Sequence, residues 1–132
     1  MALDEFVYEL CAEGKNFASI ATVMPDGSPQ VSLVWVDSDG EHIIINTAEG
    51  RQKPKNIRRD DRVAVSIFDY ENPYKQAMVQ GRVVVDTHQD AEKHIDKMAK
   101  KYLGKDEYPR SSPDEERVIF KIKPESVFVW DG

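Results

Sequence analysis

The chain has 132 residues, 40% of them hydrophobic and 32% charged, with a formal net charge of −6. That length accommodates one domain, residues 1–132, with a core that needs no staples, and the composition excludes a disordered polymer. The acidic balance argues against duplex nucleic acid as a partner. No apolar run reaches the length of a membrane span, and "MALDEFVYEL" lacks the basic flank of a signal peptide. With Cys11 alone, no internal disulfide can form, so a cytoplasmic protein without a membrane partner is expected.

In chain order, Leu3, Phe6, Val7, Leu10 and Cys11 recur at helical spacing, and Gly14 stands where it would close that helix. "FASIATVM" leads through "PDGSP" into "QVSLVWV", and "DSDG" leads into "HIIINT", which predicts a meander of three adjacent antiparallel strands. "RQKPKNIRRD" has no period of two and reads as a short helix with Pro54 in its first turn. "RVAVSIF" is the next strand. "ENPY" then turns the chain into "QAMVQGRVVVD", where Gly81 marks a bulge or a close backbone approach. Thr87 and Asp90 make a capping-box-like start for a helix with an apolar stripe from Ala91 to Leu103. After the polar "GKDEYPRSSPDEE", "RVIFKIKPESVFVW" supplies one or two closing strands, with a break at Pro124.

The sum is a mainly β chain: six or seven strands, mostly antiparallel, forming a small barrel with two longer helices and one short helix outside it. "HIIINT" is apolar on both faces, with Ile43 and Ile45 on one side and Ile44 on the other. A strand covered on both faces in so small a domain suggests a partner subunit on the outer side.

One segment carries most of the chemistry. Between Arg51 and Arg59 lie five basic residues and no acid. A strand ends at Asn46-Thr47, a turn follows, and a short helix starts with Arg51 and Lys53 near its first turn. Free backbone N–H groups favour an anion there, Arg51 can add a forked grip, Lys53 a point charge and Thr47 a hydroxyl. Lys55, Arg58, Arg59 and Arg62 lie further along, where they balance Asp60, Asp61 and the helix carbonyl end. Physics alone leaves two readings open, a phosphate site or a solvated helix face.

His42, His88 and His94 lack metal-site spacing, so no metal is expected. Cys11 lies on an apolar stripe and reads as packing. Asp60-Asp61 and Glu115-Glu116 read as solvated pairs, and no nucleophile elbow, P-loop or dinucleotide fingerprint is present. Trp35 shares a strand face with Val31 and Leu33, which favours a core or interface role. The opposite face carries Gln30, Ser32, Val34 and Val36, where either a planar ligand lies or Ser32 only meets water.

"SPQVSLVWV", a strand ending "NTAEG", "RQKPKNIRRDDRVAVSIFD" and "NPYKQAMVQGRV" together resemble the pyridoxamine-phosphate-oxidase-like split barrels, in the branch that uses the deazaflavin coenzyme F-420. The resemblance runs from about Phe17 to Trp130, and its most specific piece is R-x-K-x-x-N-[IL]-x-x-D-x-R-V, Arg51 through Val63; "KYLGKDEYP" is similar to the loop after the second long helix of that branch. It implies an FMN-binding type of split barrel, a homodimer, and two equivalent cofactor sites at the subunit interface. It implies that Arg51 and Lys53 hold the cofactor phosphate with Asn56 close behind, and that Asn46 and Thr47 lie beside the phosphate and ribityl chain. Ser32, Val34 and Trp35 would then line the tricyclic ring, while Tyr74, Met78 and Gln80 come from the second subunit. The implied activity is hydride transfer from coenzyme F-420 to a small unsaturated organic acceptor. An FMN-dependent reductase and a non-catalytic flavin or deazaflavin carrier are the alternatives. The chain ends "KPESVFVWDG", without the Arg-rich substrate segment of the true pyridoxamine-phosphate oxidases, which argues against vitamin B6 oxidation. No acid or base stands out; solvent or Tyr74 is left as the proton source.

Overall fold

The structure, a computed structural model, describes residues 2–132. Helix α1 (Glu5–Ala12) starts at Asp4, whose carboxylate accepts from the Phe6 and Val7 amides at 2.9 and 3.3 Å, and it buries Val7, Leu10 and Cys11. Gly14 does not close it. The helix ends two residues earlier, and Gly14 is not in the left-handed region. Its missing side chain instead leaves room for Asn16, whose amide donates to the Leu10 carbonyl at 3.0 Å and so caps the helix from outside.

Strands β1 (Phe17–Val23) and β2 (Pro29–Trp35) form the expected hairpin, with Ala18 opposite Val34 and Gly27 turning at φ +87. The meander then fails. The two-residue strand β3 (Asp37–Ser38) and β4 (Ile43–Ala48) do not pair with β2. They lie at the far edge of a seven-stranded antiparallel sheet of order β2-β1-β5-β6-β7-β4-β3. The chain crosses between the two edges at the fully buried Val36. Its N–H donates to the Tyr102 hydroxyl at 3.2 Å and its carbonyl accepts from Lys101 at 3.1 Å. Side chains thus satisfy backbone groups that a continuing strand would have paired, and the sheet curls into a split barrel around the crossing.

Helix α2 (Gln52–Arg59) follows β4, with Pro54 in its first turn as expected. Strands β5 (Arg62–Phe68), β6 (Lys75–Thr87) and β7 (Arg117–Asp131) pair in sequence order. Pro124 does not break β7, because it falls opposite Gly81 at a register shift where no ladder donor is needed. A Cβ on Gly81 would collide with the Lys123 carbonyl, so the close approach expected there is real. Helix α3 (Ala91–Leu103) is the one long helix, since α1 and α2 have eight residues each. Asp90 is its N-cap at φ 60 but makes no capping bond, and Thr87 ends β6, so no capping box forms.

The core fills the inside of the curl, with Ile20, Ile43, Ile45, Ile67, Phe120 and Ile122 all 1% exposed or less. Ile44 points the other way and packs with Ala91 and Ile119. The outer side of Ile44 on this doubly apolar strand is therefore covered by α3 of the same chain. Among the described residues no helix is long and apolar enough to cross a membrane.

Gly81→Ala should cost about 1–3 kcal/mol of stability in urea unfolding, since the bulge must open to admit a methyl group against backbone.

Candidate anion and ring cleft

A cleft of about 200 Å³ lies between the end of edge strand β2, the end of β4 and the start of α2, beneath α3 and the loop that follows it. One end is cationic. Arg51 is the N-cap residue of α2, Lys53 sits one turn-position inside it, and Arg117 opens β7. Arg117 is only 3% exposed and bonds Glu115 at 3.2 Å, while Arg51 reaches the same carboxylate at 3.8 Å. Lys53 makes no ion pair among the described residues. Burial lowers its pKa, and the like charges of Arg51 and Arg117 lower it further. Three cations against one carboxylate leave the cleft short of negative charge. Beside them the Thr47 hydroxyl is buried with no hydrogen-bond partner, alone in that state among the described side chains.

The other end is aromatic and apolar. Trp35 stacks on Tyr102 at 4.9 Å with planes 6° apart, and Tyr108 meets Trp35 edge-on at 5.8 Å. Phe17, Leu33, Val34 and Ile95 complete that wall. The Tyr108 ring also lies under the Arg117 guanidinium at 4.9 Å, so it joins the two ends. Its loop is pinned to α3: the Tyr108 N–H and Arg110 both donate to Asp96, at 2.9 and 3.2 Å.

The fold thus gathers Val34, Trp35, Asn46, Thr47, Arg51 and Lys53 in one cleft. Other expected site residues lie elsewhere. Asn56 is fully buried behind α2, where its amide bonds Thr22 at 3.0 Å and accepts from Gln52 at 2.8 Å, so it anchors the helix to the β1–β2 hairpin. Ser32 does not line the cleft. Tyr74, Met78 and Gln80 lie on the sheet's outer side or its rim and do not reach the cleft of their own chain. Arg117 and Tyr108 were missed by sequence reasoning. "EERV" looks like any exposed strand start, and only the pairing of Ala48 with Arg117 brings that residue to the end of β4.

The neighbouring charges explain why the free ones matter. Arg58 forks onto both Glu49 oxygens at 2.7 Å and onto Asp86 at 2.8 Å, and Arg62 pairs with Asp60 at 2.6 Å. Arg59 donates to the Val23 carbonyl. Glu115 departs from the solvated reading: its side chain is 6% exposed and is the counter-ion of Arg117 and Arg51. His88 meets Glu49 at 2.5 Å and Glu116 at 3.9 Å, an ion-pair knot already occupied by Arg58.

A family model described as pyridoxamine 5'-phosphate oxidase matches residues 4–131. The chain belongs to that family. Its split barrel is similar to a solved structure described as an F-420 reductase, at 32% identity over 92% of this chain and 95% of that one, with a TM-score of 0.78. General Stress Protein 26 from Bacillus anthracis, 15% identical over 93% of this chain and 90% of that one, has a TM-score of 0.68. HupZ of Group A Streptococcus, 16% identical over 98% of each chain, has 0.69. The last two likenesses speak to the fold alone.

Lys53→Met should stabilise the fold by about 0.5–2 kcal/mol, because it removes a half-buried charge held among like charges. Arg58→Met should do the opposite, since it strips Glu49 and Asp86 of their partner. Denaturation midpoints of the two variants check both signs.

Proposed function

We propose that the chain is a coenzyme F-420-dependent oxidoreductase that transfers hydride to a small unsaturated organic acceptor. One observation carries the reading. An unpaired, half-buried Lys53 stands between Arg51 and Arg117 beside an orphaned Thr47 hydroxyl, immediately next to stacked aromatic rings. Those donors fit a phosphate and those rings fit the edge of a planar heterocycle. The F-420 reductase neighbour at 32% identity supports the deazaflavin over other planar ligands.

In this reading Arg51, Lys53 and Arg117 neutralise the phosphate, and Thr47 donates to it or to the adjoining chain. Val34 and Trp35 orient the ring along the free edge of β2, and Ile95 and Tyr108 keep water from it. A reduced deazaflavin bound there supplies a hydride. The same phosphate donors suit FMN, so an FMN-dependent reductase is the second reading.

The cleft is smaller than the roughly 300–1,000 Å³ usual for a ligand of this size. A second copy of the chain supports completion of the site. Leu33 belongs to the cleft and, with Val31, is 65% exposed on the outer face of β2. Val31 in turn borders a groove of about 500 Å³ floored by Ser19, Ala21, Ala64 and Ser66 and walled by Met78 and Phe128. Phe128 and Trp130 are 54% and 55% exposed. A homodimer pairing these faces would set Tyr74, Met78 and Gln80 of one copy against the cleft of the other.

Coenzyme F-420 should bind more tightly than FMN, and Arg51→Ala or Lys53→Ala should each weaken binding by about 1.5–3 kcal/mol, read by fluorescence titration. A reversed order would move the assignment to FMN. Sedimentation should show a dimer burying more than about 1,000 Å², which Phe128→Asp disrupts together with cofactor binding.

A further inference from the structure

His94 projects from α3 toward β3 and β4, and sequence reasoning assigned it no role. Its Nε2 lies 3.0 Å from the Asp37 carboxylate and its Nδ1 lies 3.1 Å from the Asn46 amide nitrogen. The same amide nitrogen donates to the Ala91 carbonyl at 2.9 Å. A carbonyl can only accept, so the Asn46 side chain must present its NH2 to the helix, and Nδ1 of His94 must be the bare, accepting nitrogen. The proton then sits on Nε2 and is donated to Asp37. Asn46 is left with its oxygen facing the other way, where it accepts from Nε of Arg117 at 2.9 Å. Each contact along Asp37–His94–Asn46–Arg117 then sets a donor against an acceptor.

We propose that His94, neutral with its proton on Nε2, is a positioning residue that holds the Arg117 guanidinium in the cleft through Asn46. It deepens, and as regards ligand affinity rests on, the reading of the cleft as a phosphate site. A second proton on Nδ1 would set two donors against each other across the 3.1 Å contact. The Asn46 amide would have to turn over, and its NH2 would then face Nε of Arg117. Arg117 would lose the acceptor that orients its plane, keeping the Asn46 carbonyl at 3.3 Å, Glu115 at 3.2 Å and the Tyr108 face. The charges that bear on His94 are Asp37 and Lys97 beyond Nε2, with Lys97 3.2 Å from the same carboxylate oxygen, and Arg117 beyond Asn46. Burial alone would raise the Asp37 carboxyl, but the hydrogen bond from His94, the Ser38 amide and the charge of Lys97 outweigh it and hold it below the usual carboxylate range, so that Asp37 is an acceptor near neutral pH.

The test uses the full chain and inorganic sulfate, with nitrogen NMR signals of His94, Lys53 and Arg117 as readout. At about pH 7.5, His94 should show a bare Nδ1 and a protonated Nε2, and the Arg117 Nε–H should be protected from exchange. His94→Leu should lose the protection and about tenfold in affinity at every pH. His94→Gln can offer an N–H to Asp37 and an oxygen to Asn46, so it should keep both within about threefold. An Nδ1-protonated tautomer in the wild-type protein, or a protected Arg117 signal in His94→Leu, would overturn the inference. If sulfate moves neither Lys53 nor Arg117 while His94→Leu still frees Arg117, the positioning role holds and the phosphate reading falls.

Discussion

The chain passes from one edge of the curled sheet to the other through a single buried residue, Val36, and the cleft exists because of how that passage is held. A backbone crossing between two sheet edges has no ladder to pair with, so its polar groups need other partners. Tyr102 and Lys101 provide them. The Tyr102 hydroxyl also donates to the Asn16 carbonyl at 2.5 Å, and Lys101 donates to the Cys11 carbonyl at 2.9 Å, so two adjacent residues of α3 tie the crossing to β1 and α1. Burial pushes the Tyr102 phenol up to about 12, which keeps it a donor.

Fixing α3 across the split has consequences on its other faces. Trp35, the last residue before the crossing, stacks on Tyr102 and becomes one wall of the cleft. Ile44 is covered from outside by Ala91, which turns what looked like an interface strand into interior. The loop after the helix carries Tyr108 back to Trp35 and Arg117. Packing that closes a barrel therefore also assembles a site.

Charge follows the same economy of placement. Along α2 the residues nearest its C-terminal end, Arg58 and Arg59, are consumed in fastening the helix to the turn after β4, to β6 and to β1. Those at its N-terminal end, Arg51 and Lys53, are left under-compensated, and Arg117 joins them from a strand distant in sequence. The basic run is thus two populations with different work, a structural one that is neutralised and a cleft-facing one that is not.

The strands, the short helix after β4, the Gly81 approach and the family are legible in the chain alone, because alternation, turn residues and a dense local motif are all near-neighbour signals. Sequence reasoning also placed Asn46, Thr47, Arg51 and Lys53 together, since they lie within one β-turn-α unit. It misplaced what depends on distant partners. Whether β4 follows β2 in the sheet turns on the crossing at Val36, which is bound by residues some 65 positions away. Asn56 lies inside the motif, yet only packing shows that it faces inward to Thr22 and not toward the cleft. Arg117 and His94 have no periodic or motif signature, and Tyr108 lies in a family-like loop that by itself assigns it no contact. They acquire meaning when α3 and β7 bring them to β4, and that meeting is written in long-range contacts, which local patterns in one chain do not encode.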